Sequence, residues 1–417
     1  MAIFITYYLS KVNMKNMFIP FPKALFYILL FILYSCNSST ETTEENKTHL
    51  EVYDVSCTEV WLQLKVDRIS LPAGGVVRIE GVKEIPVTIT SNDTLLFFDS
   101  LEVNREYKFK VILQNPGQTL TTNEATAKTL DTTSHNFTWQ TFEFGEFGSS
   151  VLYDVAIIDE NNIWAVGEIY VKDSLGNHDP KCYNAVHWNG TKWELKRIGN
   201  QGGWACRTVL AFSDNDIWFE GMIKWDGTKY IVHKNGFPLL PNGDGWQINK
   251  MWGTSSNNLY VVGNGGNIAH WNGSSWTKIE SGTKTNINDI WGISKSGVNV
   301  VYCPVSSIFN PPQDKKILKI TNNKVDSISW KTNRIVYSCW TTNSDYIYAA
   351  GEGIFANKYG VWEQMILPAI TTNSIRGNGI NDIIAVGAFG TIFHYNGANW
   401  QVVSIYTAKQ NYRVDIK

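Results

Sequence analysis

Asn258-Leu-Tyr-Val-Val-Gly263, followed by His270-Trp-Asn-Gly-Ser-Ser-Trp276, decides the fold of this chain. The same pattern returns as Asn162-Ile-Trp-Ala-Val-Gly167 with His187-Trp-Asn-Gly-Thr-Lys-Trp193. It returns again as Asp382-Ile-Ile-Ala-Val-Gly387 with His394-Tyr-Asn-Gly-Ala-Asn-Trp400. From Trp193 to Trp400 is 207 residues, which holds five repeats of roughly 41 each, the period of a four-stranded blade. Around Asn258 the four strands read Trp246–Met251, Asn258–Val262, Asn267–Trp271 and Trp276–Ile279. Asn272-Gly273 reads as the hairpin turn between the last two, because such turns ask for positive φ. The chain is therefore expected to be all-β and to carry a β-propeller.

Working outward, copies start near Val151, Ala205, Trp246, Ile287, Ile335 and Ser374, which predicts six blades. The fourth copy is the most eroded, with Pro304 to Asp314 inserted and Asn322-Asn323 in place of Asn-Gly. Trp139-Gln-Thr-Phe-Glu-Phe144 looks like a lone fourth strand. It would close the ring by joining the last blade; a seventh blade is the alternative. The repeat resembles bacterial propeller lipoproteins with Asp-Ile-Trp repeats, and more loosely the WD-repeat and Asp-box families. It lacks the Gly-His…Trp-Asp pairs of the first and the Ser-x-Asp-x-Gly-x-Thr-Trp motif of the second.

Upstream, Leu50 to Leu130 alternates in Val60-Trp-Leu-Gln-Leu-Lys-Val66, Val76-Val-Arg-Ile79 and Tyr107-Lys-Phe-Lys-Val-Ile-Leu113. That length of short alternating strands is the size of a β-sandwich. Leu101-Glu-Val-Asn-Arg-Glu-Tyr107 has the spacing of a tyrosine corner, and with Trp61 on an early strand the segment resembles a fibronectin type III domain. Val103 and Arg105 stand where that family usually has Pro and Thr. The resemblance implies a spacer or adhesion module.

The start of the chain reads as an export signal. Lys11, Lys15 and Lys23 precede the apolar run Ala24 to Tyr34, too short to span a bilayer as a helix and suited to a signal-peptide core. Leu33-Tyr-Ser-Cys36 resembles the lipobox of bacterial lipoproteins, which implies cleavage before Cys36 and acylation of that cysteine. Met14 is an alternative start. The polar, acidic stretch Asn37 to Lys47 holds no aromatic residue and reads as a tether. The expected layout is a signal peptide over 1–35, lipidated cysteine and tether over 36–48, sandwich over 49–131 and propeller over 138–417. Placement is expected at the outer membrane, facing the periplasm or the cell surface.

Charged residues make up 18% of the chain and the formal net charge is −2, which gives no polybasic field for nucleic acid. Five cysteines remain beside Cys36, with no Cys-x-x-Cys or Cys-x-x-His spacing. Cys182 and Cys206 fall in neighbouring repeats and are candidates to pair. No cofactor is implied. His187, His270 and His394 share one repeat position, so a ring would hold them apart and they are not expected to bind metal. Asp154, Asp216, Asp289 and Asp382 also recur, with Glu160, Glu220 and Glu352 nearby; recurrence by repeat suits turns more than a converging catalytic pair.

Counting back from the second strand places Trp252, Trp291, Trp340 and Arg376 on first strands, which line a propeller's channel. They are candidate ligand-binding residues, since indole faces stack on sugars and cations. The alternative is packing between blades, with Gly253 and Gly292 giving room. The expected function is non-catalytic binding of a glycan or an envelope protein, with the membrane reached through Cys36. The alternative is a propeller-type carbohydrate-active enzyme, a glycosidase or lyase.

Overall fold

A computed structural model describes residues 2–6 and 48–416, apart from segments at 68–74, 81–82, 90, 116–117, 201–202, 296, 308–313, 329, 331, 344–345, 359 and 404–412. Cys36 and most of the leader and tether lie outside the described residues. The chain divides into two compact units, residues 7–130 and residues 1–6 with 131–417.

The smaller unit is a two-sheet sandwich. Thr48–Val55, Val60–Val66 and Asp93–Phe98 make one sheet, with Val60–Val66 in the middle. Lys83–Val87, Gly75–Ile79, Glu106–Asn115 and Gln118–Thr121 make the other in that spatial order, and Ala125–Lys128 also pairs with Glu106–Asn115. The alternation in the sequence becomes one core: Leu62, Leu64, Val77, Phe109 and Val111 are wholly buried. Each such side chain contributes roughly 1.5–3 kcal/mol on leaving water. The Tyr107 hydroxyl accepts the backbone N–H of Glu102 at 2.8 Å, closing the corner expected from Leu101 to Tyr107.

The larger unit is a β-propeller. Among its described residues, six four-stranded antiparallel sheets follow one another, here sheets one to six: 151–196, 209–232, 248–279, 291–328, 336–364 and 372–402. Sheet three, for example, is Ile248–Ser255, Asn258–Gly263, Ile268–Trp271 and Trp276–Ile279. First strands of successive sheets lie side by side from one to six, which places them innermost.

The outer hairpins differ from the two-residue turn expected of Asn-Gly. Trp271 pairs directly with Trp276, leaving a four-residue loop. In it Asn272 Oδ1 accepts the N–H groups of Ser274 and Ser275, each at 3.0 Å. Gly273 alone takes positive φ, at 94°. Asn189, Asp226 and Asn396 build the same loop. The two-residue turn occurs in the eroded copy, where Asn322 and Asn323 both have positive φ, 51° and 61°.

Trp139–Glu143 does not join sheet six as expected; it pairs with Ala2–Thr6 in a separate two-stranded sheet. Its neighbourhood nonetheless straps sheet six to sheet one. Thr133 donates its N–H to Asn396 O at 3.1 Å, and Phe137 and Trp139 pack on Ile384, Val386 and Ile392. Phe142 and Phe144 set their rings edge-on to Trp193 in sheet one. The chain's last described residues work from the inside: Val414 N–H donates to Ser374 Oγ at 3.4 Å, and Asp415 Oδ2 accepts from Ile157 N–H at 2.9 Å.

Candidate functional site: the polar mouth of the propeller channel

A glycine late in the second strand of four sheets (Gly167, Gly263, Gly351 and Gly387) shapes the site. A Cβ on Gly263 would lie 1.9 Å from Gln247 O, and one on Gly167, Gly351 or Gly387 would meet the matching carbonyl at 2.0–2.1 Å. Bare backbone lets the second strand close on the first there, and the first strand bulges one residue later. The register shifts between Leu152 and Asp154, Ile248 and Lys250, Val336 and Ser338, and Thr372 and Ser374. The extra residues are Tyr153, Asn249, Tyr337 and Asn373. A bulge re-aims its side chain, and all four line one cavity of about 400 Å³. Arg207 and Asn288, just ahead of sheets two and four, join them, and Gln247, Asn264 and Arg413 complete the described lining.

The mouth is held by its own amides. Gln247 Nε2 donates to Asn249 Oδ1 at 3.0 Å, and Asn249 Nδ2 to Asn264 Oδ1 and Ile287 O, both at 2.9 Å. Asn288 Nδ2 donates to Ser306 O at 3.0 Å, while Asn288 O accepts from Arg413 Nη2 at 3.0 Å. The Arg207 guanidinium lies over the Tyr153 ring, 4.6 Å from its centroid. Burial and the bond to Glu168 push the Tyr153 hydroxyl up to about 12. Glu220, beside Arg207, is raised to about 7 by burial, although its carboxylate accepts the N–H groups of Arg207 and Thr208.

Beneath the mouth, the next residue of each repeat, on the first strand or just ahead of it, forms a buried polar layer: Asp154, Thr208, Lys250, Asp289, Ser338 and Ser374. Lys250 Nζ pairs with Asp154, whose carboxylate also takes Thr208 Oγ1 and Val209 N–H at 3.1 Å each. Burial lowers the Lys250 ammonium despite that partner. Arg376 reaches from sheet six to Asp289 in sheet four and also donates to Ser338 Oγ at 3.1 Å. Burial works against the Asp289 charge, but Arg376 and then Arg413 hold its carboxyl down to about 2. The two recurring aspartates of the channel are thus each matched to a cation.

Trp252, Trp291, Trp340 and Arg376 stand one step further down, and burial and packing dominate there. Trp252 and Trp340 are buried. A Cβ on Gly292 would strike the Trp252 ring at 2.7 Å, and one on Gly377 the Trp340 ring at 2.8 Å, so each indole wedges against the next sheet's glycine. Gly253 instead faces Asn258 and Leu259. Trp291 Nε1 donates to Thr341 O at 3.0 Å, and the Arg376 guanidinium covers its ring at 4.8 Å. The mouth-lining residues carry no signal of their own in the sequence, being polar residues one place out of phase with the strand.

Two of the recurring histidines stack on second-strand aromatics. His187 lies 4.3 Å from Trp164 and His270 lies 4.2 Å from Tyr260, centroid to centroid. Asn162 and Asn258 anchor them at 2.9 and 2.8 Å. In sheet two Lys224 takes the same place, over Trp218 and paired with Asp216 at 3.2 Å. His394 is fully buried and bonds Asp382 at 3.0 Å and His135 at 2.8 Å. Among the described residues no group of three or more His, Cys, Asp or Glu could hold a metal ion. Cys182 and Cys206 are both buried free thiols, donating to Trp204 O and Thr208 O.

No family model matches this chain, and no curated protein does. Among solved structures, YCF48 bound to a D1 peptide is similar at 15% identity and TM-score 0.45, covering 61% of this chain and 81% of that one. YCF48 from Cyanidioschyzon merolae is similar at 14% and 0.44, covering 63% and 89%. A DUF4784 family protein from Bacteroides caccae is similar at 10% and 0.30, covering 77% and 96%.

Proposed function

We propose that this chain is a non-catalytic binding module of the cell envelope, anchored through lipid on Cys36, which takes a glycan or a protein segment at the propeller mouth. The observation that carries the site is the repeated bulge, which turns Tyr153, Asn249, Tyr337 and Asn373 into one cavity. Amide, phenol and guanidinium groups bind by hydrogen bonds and stacking. A glycosidase needs two carboxyl groups facing one bond, and among the described residues none lines this cavity. Asp154 and Asp289 are committed to Lys250 and Arg376 beneath it. The two-sheet sandwich with its Tyr107 bond supports the fibronectin type III-like spacer.

The test is binding of the purified protein to a glycan array, with crosslinking in native envelopes alongside, for wild type, Asn249→Ala and Tyr337→Ala. Loss of binding by folded variants supports the mouth as the site; full binding by both overturns it. For the anchor, radiolabelled palmitate should enter the wild type and not Cys36→Ala. Equal labelling of both would discard the anchor.

A further inference from the structure

We infer that the mouth takes a carboxylated saccharide, with Arg207 and Arg413 receiving its carboxylate. This deepens the binding reading above and rests on it. Nine described residues line the cavity: five carry amides, two are tyrosines, two are arginines, and no carboxylate or aliphatic side chain is among them. A peptide would ask for apolar sub-pockets to seat alternate side chains. Vicinal sugar hydroxyls ask instead for groups that donate and accept side by side, which Gln247, Asn249, Asn264, Asn288 and Asn373 are. Tyr153 and Tyr337 offer ring faces for the C–H side of a pyranose. A cavity of about 400 Å³ suits one or two sugar rings.

The charge is specific to the mouth. In the layer below, Lys250 offsets Asp154 and Arg376 offsets Asp289. At the mouth, Glu220 accepts the backbone N–H groups of Arg207 and Thr208, and Glu168 takes the hydroxyls of Tyr153 and Tyr170. Among the described residues neither guanidinium makes a direct ion-pair contact: Arg207 rests on Tyr153 beside the buried Glu220, and Arg413 donates to Asn288 O while its charge helps hold down Asp289 below. Each keeps further N–H donors for a carboxylate, the partner a guanidinium fork fits best.

The experiment titrates the purified full-length protein, in detergent micelles, with D-glucuronate, D-galacturonate and N-acetylneuraminate against D-glucose, D-galactose and N-acetylglucosamine. At least one acid sugar is expected to bind about tenfold or more tightly than its neutral counterpart, given the strength of charged hydrogen bonds. That preference should shrink as NaCl is added. Arg207→Gln and Arg413→Gln should each erase it, and Arg207→Lys should keep part of it. If Arg413→Gln loosens the tail, Arg207→Gln decides. Equal binding of acid and neutral sugars overturns this inference and leaves a glycan site at the mouth. No sugar binding, with a crosslinked protein lost in Tyr337→Ala, overturns it and leaves a protein site. Unchanged preference in a folded Arg207→Gln overturns it outright.

Discussion

Arg376 grips Asp289 with both terminal nitrogens, Nη1 to Oδ2 at 2.9 Å and Nη2 to Oδ1 at 2.7 Å, reaching across sheet five from sheet six to sheet four. Both side chains are almost wholly buried. Removing one partner leaves the other charge in a low-dielectric interior, which typically costs about 3–5 kcal/mol, while replacing both by apolar groups is often neutral. Arg376→Met should therefore destabilise the propeller by that order in urea unfolding. The double variant Asp289→Leu with Arg376→Met should recover most of the loss. A single variant as stable as wild type would show that the pair carries no weight.

Two carboxyl groups of the channel should move stability in opposite directions with pH. Asp289 is held at about 2, below its ordinary 3.8. Its contribution is present above pH 3.8 and is lost as pH falls toward 2. Glu220 is raised to about 7 from 4.5, by burial. Its folded form keeps the proton longer, so stability is fullest below pH 4.5 and declines as pH rises through 7. Glu220→Gln should flatten the decline between pH 4.5 and 7 while leaving the acid limb unchanged. Parallel curves for variant and wild type would refute the assignment.

Gly263 should tolerate no side chain. The Cβ of alanine would fall 1.9 Å from Gln247 O, forcing the two strands apart at the bulge. Overpacking of this kind costs about 1–3 kcal/mol. Gly263→Ala should lower the melting temperature and also weaken ligand binding, since Asn249 and Asn264 flank the distortion. Gly245→Ala, where a Cβ meets nothing within 4 Å, is the control and should change neither.

Phe389 holds φ at 58° and is 67% exposed, while Gly265 holds the matching place in sheet three with φ 68°. A non-glycine residue in that region gives up roughly 1–2 kcal/mol. Phe389→Gly should leave the fold unchanged and stabilise it by about 1 kcal/mol in denaturant unfolding. A destabilised variant would mean that the ring packs usefully despite its exposure.

The four-stranded repeat and the propeller it builds were legible because the copies bury the same apolar positions at the same spacing. The sandwich was legible from alternation. The mouth was not. Its four key side chains sit at bulges, where one extra residue throws the strand period out of step, and nothing in the residue types Tyr153, Asn249, Tyr337 and Asn373 announces that. Trp252 and Trp340 read as channel residues by position, but their size drives them between sheets against Gly292 and Gly377. Lys224 was invisible as a counterpart of His187 because the shared property is stacking on an aromatic ring, not residue type. Ring closure escaped the sequence because it depends on contacts between residues 250 or more apart, such as Asn381 with Asp131 and Asp415 with Ile157.

That last bond has a consequence for how the protein is made. Ile157 and Asp415 are 258 residues apart, so the inner strand of the first sheet must wait for almost the entire propeller to leave the ribosome before this bond can form. Long-range closures of this sort are slow. Through that interval the edges of sheets one and six stand open, and the nascent chain has the most to gain from a chaperone that shields strand edges.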